Sequence, residues 1–125
     1  MSFEMTLTEK PGYLHAVVTG QNTLDNVMMY LQELHQECEA RGVNRVLIEE
    51  RLTGRRLETW DVYQIAADGS QKGAGKFEAV AYVDVNASGE LMTFAETIAN
   101  NRGIPMNLFS NVADAEAWLR KKIDR

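Results

Sequence analysis

Between Arg51 and Tyr63 the chain reads Arg-Leu-Thr-Gly-Arg-Arg-Leu-Glu-Thr-Trp-Asp-Val-Tyr, the stretch that stands out for recognition chemistry. Arg55 and Arg56 offer forked donors that suit a phosphate or a carboxylate. A helix opening near Thr59 would turn its free amides toward the same loop, adding a second source of positive potential. Thr59 is the hydroxyl at that helix start. Trp60 and Tyr63, three residues apart, fall off the Val62/Ile65/Ala66 stripe and are expected to be partly exposed. Exposed Trp, Tyr and Arg together have the composition of an interface hot spot. Against this stands a plainer account in which Trp60 covers the edge of the core and the arginines are solvated.

The remaining chemistry-bearing residues promise less. Gly69-Ser-Gln-Lys-Gly-Ala-Gly-Lys76 has five residues between Gly69 and Gly75-Lys76 and is followed by Phe77. A phosphate loop needs four and then Ser or Thr, on a strand-to-helix turn. This segment is expected to be a loop running from helix to strand. His15 and His35 have no companion at metal-ligand spacing. Cys38, flanked by Glu37 and Glu39 toward a helix C-terminus, is expected to be a core residue rather than a nucleophile. Glu49 and Glu50 are strand neighbours and must point to opposite faces. Glu50, Asp84 and Glu58 fall near the carboxyl edge of the sheet, where open α/β sheets bind ligands, but a solvated edge is the expectation for surface carboxylates. No nucleophile elbow is present. The chain is therefore expected to be no enzyme and to need neither metal nor cofactor.

Composition narrows the partners. The 125 residues are 45% hydrophobic and 25% charged, with one cysteine and a net charge of −5. Such proportions suit one globular domain, here residues 1–125. The acidic balance disfavours nucleic acid, whose phosphates demand a basic stripe. Residues 41–56 depart from it, with five arginines against two glutamates and a local net of +3. A single cysteine fits a reducing compartment. No apolar run approaches a membrane span and no signal-like segment opens the chain, so a cytoplasmic protein is expected.

Periodicity supplies the elements that position these residues. Phe3–Thr8 alternates as a half-buried strand, Lys10-Pro-Gly12 turns, and Tyr13–Val18 returns as the second arm of a hairpin. Asn22 is the expected cap of a helix carrying Leu24, Val27, Met28, Leu31, Leu34 and Cys38, closed by Arg41-Gly42. Arg45–Glu50 reads as a strand buried on both faces. Thr59 should cap a helix from Trp60 to about Asp68, and Phe77–Val85 should form the next strand. Asn86 or Ser88 should cap a helix with Leu91, Ala95, Ile98 and Ala99 inward. Met106–Phe109 is a short last strand. Asn111 should cap a final helix bearing Val112, Ala115, Leu119 and Ile123. The order β-β-α-β-α-β-α-β-α predicts an α/β fold: one mixed, mostly parallel sheet of about five strands with four helices.

This order, the opening hairpin and the loop-to-helix junction resemble the STAS domain of bacterial SpoIIAA-like anti-sigma-factor antagonists, across about Phe3 to Ile123. Asn44–Glu49 and Ala113–Leu119 look most like a divergent, uncharacterised branch that shares features with lipid-binding SEC14-type domains. The antagonists carry an Asp-x-Ser-Gly motif whose serine opens the helix and is phosphorylated to switch partner binding. The corresponding stretch here is Leu57-Glu-Thr-Trp-Asp61, with neither that serine nor that glycine, and the resemblance makes Thr59, the hydroxyl at the helix start, the candidate phospho-acceptor. The resemblance implies a non-enzymatic regulatory or protein-interaction module acting through Arg55, Arg56, Thr59, Trp60 and Tyr63 on an unidentified protein partner. The alternative is a small-ligand or lipid-binding domain. Its cleft at the carboxyl edge of the sheet would be lined by Met28, Met29, Tyr30, Met92 and Phe94. An edge strand or an exposed Met29/Tyr30 face would support a homodimer.

Overall fold

The computed structural model describes residues 3–54, 57–73, 75–84 and 90–124. Strands β1 (Phe3–Lys10), β2 (Tyr13–Gln21), β3 (Arg45–Thr53), β4 (Ala79–Asp84) and β5 (Met106–Phe109) alternate with helices in the expected order. The helices are α1 (Leu24–Arg41), α2 (Thr59–Gly73), α3 (Glu90–Asn101) and α4 (Val112–Ile123). The strands lie in sequential order in one five-stranded sheet. β1 runs antiparallel to β2, and the other three pairs are parallel.

Sequential parallel strands joined by right-handed crossovers must step in one direction, which puts every crossover helix on the same side. Accordingly α1, α2 and α3 share one face, and α4, which follows the last strand, is left to cover the other. The pleat divides each strand between them. Val46, Ile48, Leu52 and Val80 face α1 with Leu14, Ala16 and Val18. Leu47, Ala79, Ala81 and Val83 face α4, meeting Ala115 and Leu119. β3, buried from Val46 through Glu50, is the doubly covered strand its unbroken apolar run predicts.

Local signals explain most boundaries. Gly42 closes α1 at φ 66°, its amide returning to the Cys38 and Glu39 carbonyls. Asn111 caps α4 by accepting from the Asp114 amide at 2.8 Å. The α1 cap is Thr23, whose Oγ1 accepts from the Asn26 amide at 3.1 Å. Asn22 instead donates its amide to the Thr53 carbonyl and ties β2 to β3. Thr59 is likewise no cap, because the Val62 amide bonds the Glu58 carbonyl and so starts α2 one residue earlier. That helix also runs on to Gly73, so the segment expected to be a loop is helical in its first half. Gly73 has a packing reason: a Cβ there would lie 3.3 Å from both Ile104 and Phe77. The caps expected at Asn86 or Ser88, and the strand end at Val85, lie outside the described residues.

The two sheet edges differ. The outward Leu108 amide donates to Glu96 Oε2 at 2.7 Å, and the Met106 carbonyl accepts from Asn100 Nδ2 at 2.7 Å, so α3 closes the β5 edge. β1 is the other edge. In the hairpin turn beside it, Gly12 sits at φ +89° with its would-be Cβ 2.7 Å from Ile123 Cδ1. Gly12→Ala is expected to cost about 1–3 kcal/mol, from left-handed strain plus overpacking against α4. Urea denaturation would register it as a lower midpoint with unchanged slope.

Candidate functional site

Because α2 packs chiefly on α3 and α1, it stands off the sheet. The space beneath it is a cavity of about 440 Å³. Its floor is the sheet face of Val46, Ile48, Leu52, Val80 and Met106. Met28, Leu31 and His35 of α1, Val62, Ile65 and Ala66 of α2, and Ala95 and Ala99 of α3 complete the walls. The lining is mostly aliphatic, which is what a preformed small-molecule site requires, and the volume lies within the usual range of about 300–1,000 Å³.

Polar groups reach the cavity at its two ends. At the carboxyl edge Glu50 and Asp84, paired in register across β3 and β4, line it together with Tyr82. Glu50 is only 7% exposed. The hydroxyls of Tyr30 and Tyr82 both donate to its Oε2 and lie 3.4 Å from each other. Burial pushes the Glu50 carboxyl above its ordinary value. The two tyrosine hydrogen bonds oppose that shift and the Asp84 charge adds to it. The same burial and the Glu50 charge hold both phenols well above theirs. At the amino edge His35 packs its ring 5.7 Å from Phe77, and its buried Nε2 has no hydrogen-bond partner among the described residues. These two rings also line a second hollow beside Cys38, Val43 and Lys76, and so stand between it and the main cavity.

Several expectations change accordingly. Glu50 is not a solvated edge carboxylate but the buried end of the cavity. Glu58 does not join it and is exposed. Glu49, as expected, faces the opposite side, where it bonds His15 Nε2 at 3.0 Å and pairs with Arg51. Of the residues expected to line a cleft, Met28 does. Tyr30 is fully buried behind Glu50, which removes the exposed Met29/Tyr30 face, leaving Met29 alone exposed. Phe94 lies on the outer surface, and the Met92 side chain is outside the described residues. Cys38 is buried, and desolvation raises its thiol to about 11, the chemistry of a packing residue.

The loop-to-helix surface is partly described. Arg55 and Arg56 lie outside the described residues. Trp60 is 71% exposed and stacks on Tyr63 with centroids 5.7 Å apart. Tyr63 in turn stacks on Phe94 at 6.5 Å, under the Arg102 guanidinium at 5.9 Å. Thr59 is exposed beside them. Trp60 and Tyr63 are thus partly exposed, as expected, and their partners are Phe94 of α3 and Arg102 just beyond its end, about 30–40 residues away in the chain. The other arginines of the basic stretch are matched by acids: Arg41 with Glu9 and Glu37, Arg45 with Glu78, and Arg51 with Glu49.

No family model and no curated protein matches the chain. A crystal structure does: an uncharacterised protein of the DUF3478 family with a SpoIIAA-like fold, from Shewanella loihica PV-4. The two are 23% identical over 94% of this chain and 93% of that one, with a TM-score of 0.55. This chain has the SpoIIAA-like fold. The likeness bears out the SpoIIAA-like α/β architecture expected from the element order. Within that SpoIIAA-like frame, no described helix is long and apolar enough to cross a membrane.

Proposed function

We propose that this SpoIIAA-like chain acts as one non-enzymatic binding domain, holding a small, mainly apolar molecule between its sheet and helices α1–α3. The observation that carries the reading is the aliphatic cavity of about 440 Å³. Its walls are mostly aliphatic, and an apolar occupant would take that surface out of water at roughly 25 cal/mol per Å². Titration with Nile red, a neutral apolar dye, should show saturable one-to-one binding with blue-shifted emission, reversed by decan-1-ol. A linear, non-saturating response to both compounds would remove the reading.

A second reading rests on the exposed aromatic stack. Trp60, Tyr63 and Phe94 with Arg102 form a surface of hot-spot composition on the outer side of α2 and α3. With Thr59 beside it, and with Arg55 and Arg56 close by in the chain, this surface suits a cytoplasmic protein partner and a phosphate-controlled switch. For a homodimer, the edge left for pairing is β1. The two readings are compatible, because α2 would carry the ligand on one side and the partner on the other.

A further inference from the structure

The cavity is apolar along most of its length and acidic at its carboxyl-edge end, and that asymmetry restricts what it takes. We infer that its ligand is an amphiphile with a protonated primary amine, seated with the amine against Glu50 and Tyr82 and the apolar tail running under α2 toward Phe77 and Ile104. This rests on the binding reading above and adds the class of ligand.

Three features converge on it. Glu50 is buried, lines the cavity, and takes both tyrosine hydroxyls on Oε2, so neither hydroxyl occupies Oε1. An ammonium group has three donors and no acceptor, and Oε1 is the acceptor left over on a carboxylate that both tyrosines hold by its other oxygen. Asp84 lines the same end and raises the Glu50 pKa through its charge. A cation there relieves the burial that disfavours the Glu50 carboxylate, whereas an anionic head group would be set against that same buried carboxylate. The far end sets the other requirement. Lys72, the basic lining residue there, is paired to Asp68 at 3.2 Å, and the walls between are Leu31, Ile65, Phe77 and Ile104, which suit a hydrocarbon tail.

The test compares three probes of one tail length, decylamine, decan-1-ol and decanoate, by calorimetric titration of the full chain at pH 7.5. Decylamine should bind tighter than decanoate by about tenfold to a hundredfold, the usual worth of a hydrogen bond to a charged group. Glu50→Gln, which keeps the shape and the acceptor for the tyrosines, should bring decylamine to within about threefold of decan-1-ol measured on the same variant. If decan-1-ol binds but decanoate equals or exceeds decylamine in the wild-type protein, the head-group assignment is overturned and the cavity reading stands. If none of the three binds, both fall. The wild-type comparison decides the matter even if the variant folds poorly.

Discussion

Ala66→Trp is expected to abolish Nile red binding and to leave the protein at least as stable as before. Ala66 is half-buried on the inner side of α2 and lines the cavity. An indole there would project into the void rather than into packed atoms, so the usual penalty for enlarging a core residue does not apply. Instead the ring fills space that nothing else occupies, and filling of this kind commonly adds about 0.5–2 kcal/mol. The pairing of lost binding with retained or raised stability is the informative result. Thermal denaturation and dye titration on the same sample would give both numbers. An Ala66→Trp protein that still bound the dye with wild-type affinity would place the dye somewhere other than beneath α2.

The other large effect separates the two faces of the sheet. Leu47 is fully buried between β3 and α4, and truncation to alanine should cost about 3–5 kcal/mol, because the tight α4 face can close little of the hole. Leu31 on α1 borders the cavity. Leu31→Ala merely widens an existing void, and the loss should be about 1 kcal/mol, mostly the transfer of its exposed-to-buried methyl groups. Urea unfolding of both variants measures the contrast. Equal losses would mean that the helices above the cavity are packed as tightly as α4.

How far these features could be read in the residues depends on how far apart the responsible groups lie. Gly42 and Asn111 announced their helix ends because capping is settled within four residues. The unbroken run at Val46–Ile48 announced a doubly covered strand because burial on both faces leaves no place for alternation. Gly69 and Gly73 misled for the opposite reason. Low helix propensity suggested a loop, yet Gly73 lies in α2 and is a glycine because Phe77 and Ile104 leave little room for a side chain. The exchange of Asn22 for Thr23 as the α1 cap has a similar origin, since Asn22 is claimed by Thr53 of β3. Glu50 was the hardest to place. Its neighbours Tyr30 and Tyr82 lie 20 and 32 residues away, and only their hydroxyls make its burial tolerable. The cleft expected from the sequence shares Met28 with the cavity but missed its other walls, because Val62, Ile65 and Ala66 look the same whether they meet the sheet or stop short of it.

The sequential strand order has a consequence for how the molecule is made. Each strand pairs with the one synthesised just before it, so the sheet can grow from β1 in the order of translation, with every loop closure confined to adjacent elements. α4, the last element, seals the face opposite the cavity. The cavity walls are contributed successively by α1, α2 and α3, with Ile104 and Met106 arriving last. Until then α1 and β3 present their apolar lining to water, and a molecule with affinity for that surface could enter before the roof is in place, becoming part of the nascent chain's own assembly.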